Sequence, residues 1–251
     1  MTVTNSASGT NVVEIAEGLY RIHTPVEMEG GPGAFSFNQY LLVDEEPLLF
    51  HTGLRRMFPL VQEAVAHVLP VKKLRWIGFS HVEADECGSL NEWLAAAPNA
   101  TPLCGQLAAM VSVGDLADRA PRGLADGEVL SLGSKSVQWL DAPHLPHGWE
   151  CGYLFEQSAG TLLCGDLFTQ GGRGERAVVE TDIVGPSEKM RAAMDYYAHA
   201  PHTVATLARF AALEPQLLAC MHGSAWRGDA RIPLRALSES LARTRPEVPA
   251  I

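Results

Sequence analysis

Basic residues are scarce in this chain: 19 Lys and Arg stand against 29 Asp and Glu, a formal net charge of −10. Nucleic acids and anionic lipid surfaces are gripped by clustered Lys and Arg, so neither is an expected partner. No apolar run reaches the roughly eighteen residues of a membrane-crossing helix. The first ten residues, MTVTNSASGT, hold neither a Lys or Arg nor the apolar core of a secretory signal. They read as a disordered tail, and residues 11–251 as one domain. Cysteine is also sparse. Cys87, Cys104, Cys151, Cys164 and Cys220 are scattered without a CxxC pair, which removes a disulfide framework and a thiolate zinc site, and a reducing cytoplasm is the expected compartment. Phosphate-binding glycine loops are missing too. EGGPG (29–33), GGRGER (171–176) and the Pro-rich tail after Thr244 lack the strand-to-helix context such a loop needs. They read as flexible loops, the first two being candidates for a rim or lid.

Short apolar runs broken by turns open the chain: LYRIHTP, then NQYLLVDEEPLLFHTG, in which DEEP predicts a hairpin turn. Apolar spacing predicts a helix from about Met57 to Leu69, then a strand from Trp76 to Ser80 ending at His81. CGSLNEWLAAAP reads as a helix stopped by Pro98, followed by a strand at TPLCG and a helix from about Gln106 to Arg119. Strand signals return in EVLSLGSKSVQWLDAP and CGYLFEQSAGTLLCGDLF. One long helical stretch from about Pro186 to Leu213, a strand at QLLACMHG and a helix from about Pro233 to Thr244 complete the order. Strands then helices, twice over, predict an α+β fold: two sheets face to face with helices outside, an αββα sandwich.

The densest chemistry lies in His81-Val-Glu83-Ala-Asp85-Glu86, at the carboxyl end of a strand and just before a helix. In extended backbone, residues spaced by two project to one side, which lets an imidazole and two carboxylates converge. A charged loop before a helix is common, so this hexapeptide alone has an ordinary reading as helix-terminal acids. Three other segments end in the same way: APHLPHG at His147, LLCGDLF at Asp166 and ACMHGSAW at His222. Asp or His at the end of an apolar strand is unfavourable unless paired, hydrogen-bonded or metal-bound. Four such ends point to a shared site.

This pattern resembles the metallo-β-lactamase fold, and within it the di-iron domain of flavodiiron proteins and related oxygen-binding di-iron proteins. The resemblance runs from about Val12 to Arg227 and rests on the opening hairpin, the HxExD at His81 to Asp85, the GD at Gly165 and Asp166, and HGSAWR at His222 to Arg227. It implies that His81, Glu83 and His147 bind one iron, Asp85 and His222 a second, with Asp166 bridging. Hydrolases of the fold typically carry HxHxDH, suited to zinc-activated water; here Glu83 and Glu86 stand in place of two imidazoles. Oxygen donors mixed with imidazole suit iron or manganese.

Three departures matter. Glu86 replaces a histidine usual in flavodiiron proteins and is either a further ligand to the second ion or a helix-capping acid beside it. His51, in FHTG, replaces the aspartate of DTG; it and His144 are candidates for hydrogen bonds around the ligands, packing being the alternative for each. Trp149 and Trp226 either wall the site or belong to the core. Too few residues follow His222 for a flavodoxin-like domain, so no FMN is expected, and the cysteine pattern leaves no rubredoxin-type centre. The expected function is a di-iron protein that binds or reacts with dioxygen, as a sensor or as an oxygen or nitric oxide reductase served by a separate electron-donor protein. The alternative is a metal-dependent hydrolase of thioesters, lactones or phosphoesters, with zinc a candidate ion. A non-catalytic interaction domain ranks last. A homodimer is compatible with the resemblance; a catalytic residue is not assigned.

Overall fold

The computed structural model describes residues 1–28 and 33–243. Most of EGGPG and the Pro-rich tail therefore lie outside the described residues. The first sheet holds β1 (Thr2–Asn5), β2 (Thr10–Ala16), β3 (Leu19–Met28), β4 (Gly33–Leu42), β5 (Leu48–Phe50), β6 (Trp76–Gly78), β7 (Thr101–Gly105) and β8 (Arg122–Leu124), paired in that order. The second contains β9 (Val129–Ser131), β10 (Ser136–Asp141), β11 (Gly152–Glu156), β12 (Thr161–Leu163), β13 (Val178–Val179), β14 (Leu217–Ala219) and β15 (Ala225–Arg227), in the spatial order β13-β15-β14-β12-β11-β10-β9. Alternation along the strands divides their side chains between two faces. Tyr40, Leu42, Leu48, Phe50, Leu154 and Leu163 enter a core between the sheets, whereas Leu41, Leu49 and Ile77 face the helices of the first layer and Tyr153, Phe155 and Leu162 those of the second.

Outside the first sheet lie α1 (Phe58–Val68), α2 (Ala84–Cys87), α3 (Leu90–Ala96), and α4 (Gln106–Ala108), which continues through a π-helical turn (Ala109–Val113) into α5 (Gly114–Leu116). Outside the second lie α6 (Val184–Met194), α7 (Thr203–Ala212) and α8 (Arg231–Arg243). This is the expected αββα sandwich. No helix among the described residues is long and apolar enough to cross a membrane.

Two expectations are corrected. Residues 2–5 are a strand, not a disordered tail: Thr2 and Val3 pair with Val12 and Asn11 at the sheet edge. The β-branched Thr-Val-Thr favours extended backbone, and Asn5 Oδ1 accepts the Ser8 amide across the turn at 3.1 Å. The stretch expected as one helix from Pro186 to Leu213 is two, because Asp195 leaves α6 in the left-handed region (φ 46°) and Pro201 precedes α7. That interruption shapes the site described next.

Strand direction places the site. β5, β6, β7 and β8 run parallel to one another, as do β12 and β14, so their carboxyl ends lie along common edges. The two edges are laced together: Gly152 N donates to Ser80 O at 2.9 Å and Asn38 N to Met221 O at 2.9 Å.

Candidate metal centre

His81 lies just beyond β6, Glu83 is the N-cap residue of α2, and Asp85 and Glu86 fall in its first turn. His147 is in the loop between β10 and β11; Asp166 follows β12 and His222 follows β14. His81, Asp166 and His222 thus follow directly on short buried strands. His81, Glu83, His147 and Asp166 each offer a ligand atom, all within 4.8 Å of one another, and Asp85, Glu86 and His222 form a second such group.

The first group is tight. His81 Nε2 and His147 Nε2 are 2.9 Å apart, and Glu83 Oε2 lies 3.1 Å from the former and 2.8 Å from the latter. Asp166 joins both groups: its Oδ2 is 3.7 Å from His81 Nε2 and 3.6 Å from His147 Nε2, while Oδ1 is 3.2 Å from His222 Nε2. Asp85 Oδ2 stands 3.3 Å from His222 Nε2. A metal with bonds of about 2.1 Å holds adjacent ligand atoms about 3 Å apart, the spacing found here.

Proton placement supports the same reading. His147 Nδ1 donates to Tyr196 O at 2.9 Å and His222 Nδ1 to Ser36 O at 2.8 Å, which turns each Nε2 into the site, a lone pair for a cation when the ring is neutral and a donor to the carboxylates when it is protonated. His81 Nδ1 pairs with Ser80 Oγ at 2.9 Å. Imidazole nitrogens and carboxylates packed this closely repel unless a cation or a proton lies among them. In the metal-free protein His222 takes that part. Burial disfavours its charge, but hydrogen bonds to Asp166 and Asp85 outweigh burial and raise its pKa to about 10. Hydrogen bonds from His147 and His81 hold Glu83 at about 2. Burial pushes Asp166 and Asp85 upward, but His222 more than offsets it and both end below the usual carboxylate range. Glu86 goes the other way: burial, then the charges of Asp166 and Asp85, raise it well above its ordinary value. It is fully buried, and neither of its carboxylate oxygens has a hydrogen-bond partner within 3.5 Å.

All six residues expected as ligands are brought together, with Glu86 beside them. His51 is 1% exposed and adopts a left-handed φ of 66°. Its Nε2 meets Ser80 Oγ at 3.0 Å, so it reaches His81 through that hydroxyl and not through a ligand carboxylate. His144 does not approach the ligands. It sits at φ 64° in the turn closed by its amide to Gly148 O, exposed, its ring 6.2 Å from that of His202. The three-residue spacing from His147 crosses that turn, which sends the two rings to different surroundings. Trp149 is 55% exposed and walls nothing, and Trp226 is half-buried with its indole donating to Thr181 O at 3.0 Å.

The structure adds residues that the sequence did not single out. Phe35 and Phe37 pack on the His222 ring at centroid distances of 4.4 and 5.3 Å. Glu150 is buried and accepts the Val82 amide at 2.9 Å, fixing the His81–Glu83 turn. Ser36 and Tyr196 act through backbone carbonyls, which any residue type supplies, so no sequence signal marks them.

Two sheets with outer helices and a two-group ligand cluster at the strand ends define a metallo-β-lactamase-type protein with a candidate dinuclear centre. The chain belongs to the family described as ODP family beta lactamase, whose model matches residues 35–223. It is 26% identical over 209 residues to the rubredoxin-oxygen oxidoreductase of Megalodesulfovibrio gigas, covering 78% of this chain and 50% of that protein. The chain thus spans half the length of that relative. Among solved structures it resembles rubredoxin oxygen:oxidoreductase from Desulfovibrio gigas, with a TM-score of 0.77 at 20% identity over 92% of this chain and 61% of that one. It also resembles a metal-soaked flavodiiron core, Flv1 from Synechocystis sp. PCC6803, with a TM-score of 0.77 at 20% identity over 93% and 61% of the two chains. At these identities the structural likeness speaks for the fold.

Proposed function

We propose that this chain is a di-iron protein that binds or reacts with dioxygen or nitric oxide and takes its electrons from a separate donor. The observation that carries the reading is the donor set. His81, Glu83 and His147 would hold one ion, Asp85, His222 and Glu86 the other, and Asp166 would span both, because its two oxygens face opposite groups. The buried, unpartnered carboxylate of Glu86 fits a cation better than it fits the metal-free protein. With two divalent ions bound, Glu83, Asp85, Asp166 and Glu86 would together carry four negative charges and balance them, and hard oxygen donors favour iron or manganese over zinc.

Bound iron would supply the electrons and Lewis acidity for the chemistry of dioxygen or nitric oxide. The chain's own part is to hold and orient. Tyr196 O and Ser36 O fix the tautomers of His147 and His222, while Phe35 and Phe37 exclude water from one side of His222. Glu83 leaves half of its side chain exposed and His147 about 29%, so the first group is the open side through which a small ligand enters. The relative from Megalodesulfovibrio gigas is named an oxygen oxidoreductase, which agrees with this reading. The test is anaerobic iron loading, reduction and addition of dioxygen or nitric oxide, followed by ultraviolet-visible spectroscopy. A ligand-dependent change in the reduced protein supports the reading. An inert reduced protein that turns over thioesters or lactones when loaded with zinc would replace it with hydrolysis.

A further inference from the structure

Arg21, on β3, is 1% exposed, and among the described residues none of its hydrogen-bond partners is a carboxylate. Its Nη2 donates to Gly174 O and to Gly223 O, each at 2.8 Å, and its Nε is buried without a partner. A buried guanidinium without a counterion is strongly unfavourable, so a fold that keeps one draws something from it. What Arg21 grips is the turn that carries His222.

That turn is held at every carbonyl. Cys220 O accepts from Asn38 Nδ2 at 2.9 Å and from Tyr40 Oη at 2.7 Å, and Met221 O from the Asn38 amide at 2.9 Å. His222 O accepts from the Gln170 amide at 3.3 Å, and Gly223 O accepts from both Asn38 Nδ2 and Arg21 at 2.8 Å. The Gly223 amide donates to Ser36 Oγ at 3.0 Å, and His222 Nδ1 donates to Ser36 O. β3 and β4 of the first sheet thereby fix a ligand of the second. The same nitrogen of Arg21 ties down the GGRGER loop, whose Gly174 packs so closely that a Cβ there would stand 2.8 Å from Ser36 Oγ and 3.1 Å from the Gly223 carbonyl. His23 completes the support: Asn38 Nδ2 is spent on two carbonyls, so Asn38 Oδ1 accepts the His23 Nδ1 proton at 2.9 Å.

We propose that Arg21 is a positioning residue for the metal centre: its guanidinium clamps the His222 turn and the 171–176 loop together and sets His222 for the second metal. The inference rests on the two-metal part of the functional reading and is independent of any reaction with dioxygen.

The test compares the wild-type chain with Arg21→Met and Arg21→Lys. Each is reconstituted anaerobically with ferrous iron, titrated against a chelator to obtain stepwise affinities, and checked for folding by circular dichroism. Loss of an outer hydrogen-bonding partner typically weakens a metal site by about 10- to 100-fold, and we expect that loss at the second metal of Arg21→Met with the first metal unchanged. Lys retains the charge but not the planar fork, so Arg21→Lys is expected to fall between wild type and Arg21→Met. Asn38→Ser removes two donations to the same turn and leaves the guanidinium in place; it is read in the same way if Arg21→Met does not fold, and the same selective weakening is expected. Wild-type affinity for both metals in the variants that fold overturns the proposal, as does equal weakening of the two. A wild type that binds two irons yet is inert to dioxygen removes the functional reading and leaves this inference standing.

Discussion

Asp166 faces both halves of the candidate centre, its two oxygens turned to His222 on one side and to His81 and His147 on the other. Asp166→Asn is therefore expected to lower the affinity for both metals, whereas Asp85→Asn weakens the second alone; stepwise iron titration separates the two patterns. His23 gives a pH prediction away from the ligands. Burial, then the charge of Arg21, lowers its pKa to about 4 from the ordinary histidine value of 6.5. A histidine depressed in the folded state is neutral there while the unfolded chain takes up a proton. Its contribution is complete above pH 6.5 and is lost as pH falls toward 4, by about 3 kcal/mol at the limit. Denaturation of the metal-free protein between pH 7 and 4.5 is expected to show a steeper loss of stability in wild type than in His23→Gln. At this scale the residues that converge were legible because Asp and His at the ends of apolar strands are costly without a shared purpose. The groups that orient them were not. Ser36 and Tyr196 act through carbonyls, Ser80 is one serine among many, and the reach of His144 depended on a turn that spacing does not reveal.

At the scale of elements, the two sheets meet around Trp139 of β10, which is 1% exposed. Burying an indole of this size contributes roughly 4–6 kcal/mol. Its neighbours are glycines on opposite sheets: a Cβ at Gly105 of β7 would stand 3.0 Å from the ring, and one at Gly152 of β11 2.2 Å. Gly152→Ala must displace the indole, and a loss of about 1–3 kcal/mol is expected by chemical denaturation, the range typical of overpacked cores. Gly152 also donates its amide to Ser80 O, beside His81, so the same substitution is expected to weaken the first metal. Strand and helix order was readable from apolar periodicity, including the hairpin at DEEP and the strand before His81. The break between α6 and α7 was not, because its cause is the left-handed backbone at Asp195, and it is this break that lets Tyr196 meet His147. The first strand was missed for a related reason: a short polar segment becomes a strand only because β2 offers it an edge.

For the molecule as a whole, the centre joins two sheets that otherwise meet through apolar packing and a few edge hydrogen bonds. His81, Glu83 and Asp85 come from the first sheet's edge, His147, Asp166 and His222 from the second's. Metal bound to the folded state alone stabilises it by about 2.7 kcal/mol at one hundred times its dissociation constant. Chelation is accordingly expected to lower the unfolding temperature, with a smaller drop in Asp166→Asn because less metal was held. The central claim is that these converging ends hold two irons that respond to dioxygen. It is tested most directly by counting iron in the anaerobically reconstituted protein and titrating the reduced form with dioxygen under spectroscopic observation. Two irons per chain and a dioxygen-dependent spectral change are predicted; well under one metal per chain, or two irons and an unchanged spectrum, would contradict it.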